Sequence, residues 1–278
     1  MADCTRCGRK LPAFSFGSGG LCANCRQAEQ DELQPGGHAS QLISPWRTGP
    51  TVTMAIIGVN VAVFLAMVLN HVSITDPTTP DLKNWGADFG PFVFGLDHRA
   101  EPWRLLTSVF EHIGIVHILL NMWGLWNLGR LAEQVYDKST YLGAYLLCGI
   151  GGSIACLWSD PGAVTAGASG AIFGIAGLLI TTFWLGRLAM PEGRSQSLLR
   201  NLIVVVGYNL FIGASIPGIS NSAHLGGFFT GLILGGFMAP RLTSDPRESQ
   251  ATRWLILAGA AVVLVFVFRF VKMQALGS

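Results

Sequence analysis

The sequence predicts an all-α membrane protein that crosses the bilayer several times and carries a small cysteine-rich module at its N-terminus. Of its 278 residues, 50% are hydrophobic and only 12% are charged, whereas soluble domains have about 25% charged residues. Apolar stretches of spanning length recur along the chain, and four cysteines lie in pairs within the first thirty residues. This composition excludes a disordered chain and argues against a water-soluble enzyme. The net charge of +2 is too small to indicate nucleic-acid binding.

The pattern predicts three regions along the chain. Residues 1–33 form the cysteine module, residues 34–51 a linker, and residues 52–275 the membrane domain. A transmembrane helix needs about 20 mostly apolar residues. Segments that meet this need lie at about 52–71, 104–130, 140–158, 168–186, 200–217, 223–240 and 253–272. The stretch 72–103 is rich in Pro and Trp, so we expect it to lie partly in the membrane interface.

The basic residues predict the orientation of these seven spans. With the N-terminus inside, thirteen of the 18 Lys and Arg residues fall on the inner side, and the loops 159–167 and 218–222 contain none. The positive-inside rule therefore predicts a cytoplasmic N-terminus and, with seven spans, an external C-terminus. We expect a multi-pass protein of the cell (inner) membrane, in contact with the lipid bilayer.

Several polar side chains lie where apolar ones would be expected. His117 and Asn121 lie in the outer half of the second span, Ser169 at the outer start of the fourth, and His224 at the outer start of the sixth. Polar groups inside a membrane are costly and mark functional sites. Three separate segments are thus predicted to bring these four residues to one depth near the outer face.

These residue types suit acyl transfer. Ser169 lies among small residues, and backbone N–H groups at a helix N-terminus favour a developing oxyanion. A serine hydroxyl needs a base, and the imidazole of His224 is the candidate. His117 and Asn121 are four residues apart, so both could donate to the oxyanion. Asp160 is the nearest acidic candidate for a third member, and we expect a Ser–His dyad oriented by packing.

The motifs together resemble those of the rhomboid intramembrane serine proteases. They are Gly-Ala-Ser-Gly at 167–170, His112-x4-His117-x3-Asn121, Ala223-His224-x2-Gly227-x3-Gly231, Trp103-Arg104 and Asn127-Leu128-Gly129. The resemblance covers roughly residues 50–275 and implies a six-helix bundle plus one C-terminal transmembrane helix. It implies that the segment 72–103 is the family's interfacial element and the fifth span its substrate gate.

The resemblance also implies residue roles. Ser169 would be the nucleophile, His224 the general base, and Asn121 and His117 would help the Ser169 N–H to bind the oxyanion, with no cofactor for catalysis. Phe173 occupies a position where some members have a tyrosine packed against the catalytic histidine. The implied substrates are transmembrane segments of other proteins, cleaved near the outer face.

Glycines at four-residue spacing predict a close contact between the fourth and sixth spans. Gly170 and Gly174 lie on the fourth span, and Gly227 and Gly231 on the sixth. Such a contact would bring Ser169 within hydrogen-bond reach of His224. We interpret His112 as a loop-positioning or water-binding residue and the two remaining cysteines, Cys148 and Cys156, as ordinary buried residues.

The spacing Cys4-x2-Cys7-x14-Cys22-x2-Cys25 is typical of a structural zinc site. About thirty residues cannot build an adequate core alone, so metal binding would supply folding energy. A reduced tail without metal and a pair of disulfides are the alternatives. The module could serve a cytoplasmic partner.

Two other functions stay open at this point. A catalytically silent relative could bind transmembrane helices, although such a binder has no need of all four polar residues. A membrane metal or haem site could use His112, His117 and His224, but it would leave Ser169 unexplained.

Overall fold

The structure is a computed structural model that describes residues 4, 5, 7, 25, 49–96, 99–185, 193–216, 218–239 and 246–277. The chain divides into two compact units, Met1–Ser44 and Pro45–Ser278. Ten helices lie in the described part of the second unit: α1 (Thr51–Leu69), α2 (Thr79–Trp85), α3 (Gly90–Phe94), α4 (Arg104–Thr107), α5 (Ile115–Val135), α6 (Lys138–Ser159), α7 (Ser169–Leu185), α8 (Arg194–Ser215), α9 (Asn221–Met238) and α10 (Pro246–Gly277). The predicted linker at 34–51 lies almost wholly outside the described residues.

Each of the seven predicted spans corresponds to a helix, namely α1 and α5 to α10. The predicted start of the second span at residue 104 is wrong. Residues 104–107 form the separate helix α4, and α5 begins at Ile115, directly after Gly114 with a φ of +81°. The N–H of Ile115 donates to the carbonyl of Ile74 at 2.7 Å, and not to the carbonyl four residues earlier, as it would in a continuous helix. The turn at Gly114 therefore separates α5 from the polar residues that precede it.

Four helices in the described ranges are long and apolar enough to cross a membrane. They lie at Thr51–Leu69, Lys138–Ser159, Ser195–Ser215 and Gln250–Gly277, and α7 is an apolar helix of 17 residues. The two further predicted spans, α5 and α9, carry the polar side chains His117, Asn121 and His224. The fold is thus that of an all-α, multi-pass membrane protein.

The segment between α1 and α5 is organised around Arg104. This arginine is 5% exposed and donates to the carboxylate of Glu101 and to the carbonyl oxygens of Lys83 and Ala87, at 2.6 and 3.2 Å. Just beyond Ala87, Asp88 pairs with Thr165 through two backbone hydrogen bonds of 2.8 and 2.9 Å. The segment is therefore attached to the loop that leads into α7.

Helix α7 lies at the centre of the bundle, because every residue from Gly170 to Phe183 is buried. Glycines let α9 approach it closely. A methyl group at Gly227 would overlap the carbonyl oxygen of Gly170, and one at Gly231 would overlap that of Gly174. The predicted contact between the fourth and sixth spans is confirmed at these positions.

Polar contacts join α1 and α10 to the corner between α5 and α6. Glu133 of α5 accepts hydrogen bonds from the backbone N–H and the hydroxyl of Thr53 on α1, both at 2.6 Å. Asp137 caps α6 by accepting from the N–H of Thr140 at 3.0 Å, and it pairs with Arg253 of α10 at 3.1 Å. These contacts hold α1 and α10 against the α5–α6 corner.

Candidate active site

Ser169 is the first residue of α7 and is half-buried. The loop before it is held by Gly167, whose N–H donates to the carbonyl of Ser108 at 2.8 Å. Gly167 has a φ of +132°, a conformation that residues with a side chain rarely adopt. N–H groups in the first turn of a helix have no carbonyl partner within that helix. The serine therefore lies beside backbone donors that suit an anion.

The hydroxyl oxygen of Ser169 lies 2.9 Å from Nε2 of His224. His224 is 7% exposed and lies in the first turn of α9. Ser220 caps that turn, because its hydroxyl accepts from the N–H of Ala223 at 3.2 Å. The N-termini of α7 and α9 thus bring together the side chains of a serine and a histidine that are 55 residues apart in sequence.

Packing holds the imidazole of His224. The ring of Phe173, one turn after Ser169, stacks on it with centroids 4.2 Å apart and an interplanar angle of 7°. Among the described residues, Nδ1 of His224 has no hydrogen-bond partner. Asp160 accepts instead from the N–H of Gly162 at 3.0 Å. An imidazole in this position can accept the proton of Ser169 through Nε2 when its own proton is on Nδ1.

His117 lies against the loop that precedes Ser169. Its Nδ1 accepts a hydrogen bond from the N–H of Ile113 at 3.3 Å, which leaves the proton of the neutral ring on Nε2. A methyl group at Gly167 would lie 2.6 Å from Cε1 and 3.0 Å from Nε2 of His117. The donor side of His117 therefore faces this loop.

Asn121 is buried on α5 at 6% exposure, and its amide nitrogen donates to the carbonyl of His117 at 2.9 Å. An asparagine amide has two N–H groups. One of them is used within α5, and a second stays available to a ligand. The four-residue spacing predicted that His117 and Asn121 share one face of the helix, but it did not predict this bond between them.

The buried residue His112 lies just before α5. His112 is fully buried, and its ring centroid lies 5.2 Å from that of His117. Burial, together with the neighbouring His117, lowers the pKa of His112 to about 3, so its ring is neutral at pH 7. His112 therefore packs against His117 as a neutral ring, and its loop-positioning or water-binding role stays a prediction.

Glu111 was missed by the sequence analysis, which assigned it no role. It is 1% exposed, and neither carboxylate oxygen has a hydrogen-bond partner among the described residues. Burial raises the pKa of Glu111 to about 8, although the nearby Arg104 acts in the opposite direction. Its position inside the predicted second span, 104–130, was the signal that could have identified it, because an acidic residue is costly in a continuous transmembrane helix.

The structure describes three of the four predicted zinc ligands. The sulfur atoms of Cys4, Cys7 and Cys25 all lie within 4.8 Å of one another, while Cys22 lies outside the described residues. Tetrahedral zinc with bonds to sulfur of about 2.3 Å separates its thiolates by roughly 3.8 Å. The N-terminal cysteine cluster is therefore compatible with a zinc-binding module.

Comparisons with known proteins place the chain among its relatives. A family model described as the Rhomboid domain matches residues 99–241, about half of the chain. Rhomboid protease GluP from Bacillus subtilis is 32% identical over 221 residues, which cover 80% of this chain and 40% of that protein. RHOMBOID-like protein 1 from Arabidopsis thaliana is 31% identical over 196 residues, covering 62% and 50%.

RHOMBOID-like protein 5 from the same plant is 34% identical over 161 residues, which cover 57% of this chain and 50% of that protein. The chain spans half or less of the length of these three relatives. The family model covers the loop before Ser169, both residues of the Ser169–His224 pair and the helices that carry them. The chain belongs to the rhomboid family.

Proposed function

We propose that this protein is an intramembrane serine endopeptidase that cleaves transmembrane segments of other membrane proteins. The observation that carries the proposal is the distance of 2.9 Å between the Ser169 hydroxyl and Nε2 of His224. Hydrogen-bond contact between a nucleophile and its base is the signature of an activated serine. The Bacillus relative is named a rhomboid protease, which supports the same reaction class.

In the proposed mechanism, Oγ of Ser169 attacks the carbonyl carbon of the scissile peptide while its proton passes to Nε2 of His224. The tetrahedral intermediate collapses as the C–N bond breaks, and the imidazolium gives that proton to the leaving nitrogen. Water then attacks the acyl-enzyme and transfers a proton to the same imidazole. As the ester bond breaks, that proton returns to Ser169 and the acid product leaves.

The oxyanion of the intermediate would accept hydrogen bonds from three donors. They are the backbone N–H of Ser169, the free amide N–H of Asn121 and Nε2–H of His117. The contact between Ile113 N–H and Nδ1 of His117 supports the required tautomer. Loss of one such donor costs about 100- to 1,000-fold in kcat in other serine proteases.

The proposed cleavage site lies near one end of the membrane spans, because Ser169 begins α7 and His224 lies in the first turn of α9. With the N-terminus in the cytoplasm, as the basic residues predict, this end faces the outside of the cell (inner) membrane. A peptide bond within a helix must first be unwound to expose its carbonyl. Substrates would therefore be spans with small or polar residues near their outer end.

A fluorophosphonate probe tests the proposal on the full chain. It should label the wild type, because the probe reacts with a serine only when a base has activated it. Ser169→Ala should abolish labelling, and His224→Ala should lower it by at least about 100-fold. Ser222→Ala, a change in the same turn of α9, should leave it unchanged. A folded wild type that is not labelled would refute the protease and favour a silent protein that binds transmembrane helices.

We further propose that Cys4, Cys7, Cys22 and Cys25 bind one structural zinc ion, on the evidence of the three clustered sulfur atoms. Elemental analysis of the purified protein should find about one zinc per chain. Cys4→Ser should lose it, while Cys148→Ser, a change to a buried cysteine of α6, should retain it. Wild-type protein purified without chelators that contains no metal would contradict this proposal.

A further inference from the structure

The thiol of Cys156 connects the two segments that lead to Ser169 and His224. Cys156 lies near the C-terminal end of α6 and is 3% exposed. Its sulfur lies 2.9 Å from the hydroxyl of Thr165, and it accepts a hydrogen bond from the hydroxyl of Ser220 at 3.3 Å. Thr165 belongs to the loop before α7, and Ser220 is the N-cap of α9.

On the first of these segments, Thr165 lies four residues before Ser169. Its backbone is paired with Asp88 through two hydrogen bonds of 2.8 and 2.9 Å. The side chain of Thr165 contacts the thiol on the other side. The loop that sets the position of Ser169 is therefore held at Thr165 both through its backbone and through its side chain.

On the second segment, the hydroxyl of Ser220 has two functions. It accepts the hydrogen bond from the N–H of Ala223 that caps α9, and it donates to the sulfur of Cys156. The carbonyl of the same residue accepts from the N–H of His224 at 3.2 Å. A shift of Ser220 would thus move the turn that carries His224.

Besides the close packing of α7 against α9, two other features bear on the geometry of the Ser169–His224 pair. Nδ1 of His224 has no hydrogen-bond partner in the part of the chain that the structure describes, so no acidic residue there orients the ring through Nδ1. The stacked Phe173 restrains the tilt of the imidazole, but it lies on α7 and does not connect the loop to α9. The hydrogen bonds of Cys156 make that connection.

We propose that Cys156 is a positioning residue that keeps Ser169 and His224 at reacting distance by joining the loop before α7 to the N-cap of α9. This inference rests on the proposed protease function. A thiol is a weak donor and acceptor, and this one contacts the hydroxyl groups of both Thr165 and Ser220. Serine at this position would keep the polarity, whereas alanine would lose both contacts.

The test measures the second-order rate of fluorophosphonate labelling of Ser169 in the full-length protein. Cys156→Ala should lower this rate about 10-fold, because small misplacements of reacting groups slow reactions strongly. Cys156→Ser should recover the rate to within about 3-fold of the wild type, since a hydroxyl can make both hydrogen bonds. With a peptide-bond reporter, Cys156→Ala should lower kcat and leave KM unchanged, as expected when only the chemical step is affected.

Cys148→Ala is the matched control. Cys148 is fully buried in the same helix and packs against Gly174 of α7, but its thiol makes neither of the hydrogen bonds described for Cys156. Cys148→Ala should be labelled by the probe at the wild-type rate, although it loses a similar buried sulfur. A rate for Cys156→Ala equal to that of Cys148→Ala would overturn the proposal.

A second variant covers the case in which Cys156→Ala fails to fold. Thr165→Val keeps the shape of the side chain and the backbone pairing with Asp88, but removes the hydroxyl. Thr165→Val should slow labelling by the probe about 3- to 10-fold and leave the KM for the peptide-bond reporter unchanged. An unchanged labelling rate would overturn the proposal. If the wild type itself is not labelled, the proposed protease function fails. If the wild type is labelled and Thr165→Val reacts equally fast, only the role of Cys156 fails.

Discussion

At the scale of single residues, the site depends on one backbone conformation. Gly167 combines a φ of +132° with an imidazole, that of His117, in the space where a side chain would begin. Because Gly167 has no side chain, the donor side of His117 can lie against the loop that leads to Ser169. A residue with a side chain would disturb the backbone and the histidine together.

We therefore expect Gly167→Ala to lower fluorophosphonate labelling by at least about 10-fold, because His117 must move away from the loop. The strained backbone should also cost on the order of 1–3 kcal/mol of stability. Gly124→Ala on α5 is the control, because its methyl group would lie at an ordinary distance of 3.6 Å from Ile172. Equal labelling of the two variants would show that this glycine is not required.

Glu111 supplies a prediction about pH. Burial raises the pKa of its carboxyl from an ordinary value of 4.5 to about 8, so between these values the folded protein retains a proton that the unfolded chain releases. The contribution of Glu111 to stability is therefore largest below about pH 4.5 and is lost as the pH rises through 8. Asp88, also buried and with a raised pKa, acts in the same direction.

Glu111→Gln should reduce this fall in stability between pH 5 and 9, by on the order of 4 kcal/mol, as measured by thermal unfolding in detergent. Glutamine keeps the shape of the side chain but cannot ionise. Asp76→Asn, a change to an exposed carboxylate of the same segment, should leave the pH dependence as in the wild type. A Glu111→Gln profile that is parallel to the wild type would contradict the assignment.

At the scale of helices, the contact between α7 and α9 sets the distance between Ser169 and His224. The two helices approach through glycines, and the carbonyl oxygen of Gly174 lies where a side chain at Gly231 would begin. Small residues at such positions let helix backbones pack closely in lipid. Ser169 and His224 lie at the same ends of these helices, so any separation of the helices would be transmitted to them.

Gly231→Ala should therefore destabilise the protein by about 1–3 kcal/mol, the usual cost of overpacking, and should slow labelling of Ser169. Gly236→Ala lies on the same helix, but its methyl group would be 3.8 Å from Thr181. This control should unfold at or above the wild-type temperature, because alanine favours a helix over glycine. Equal unfolding temperatures for the two variants would rule out the close contact as a source of stability.

At the scale of the whole molecule, the seven helices were largely predictable because hydropathy and length are local properties of the chain. The predicted spans matched helices α1 and α5 to α10, and the glycine spacing predicted the contact between α7 and α9. Ser169, His224, His117 and Asn121 could be selected because polar groups in apolar segments are exceptional. The orientation in the membrane and the residue roles stay predictions.

The sequence by itself determined which segments become helices and which side chains could carry chemistry, since both follow from residue type and spacing. Only the tertiary structure decided where α5 begins and that Glu111 is buried. It also placed Cys156, taken from the sequence as an ordinary buried residue, between Thr165 and Ser220. These features depend on contacts between segments far apart in the chain, and no local pattern of residues encodes such contacts.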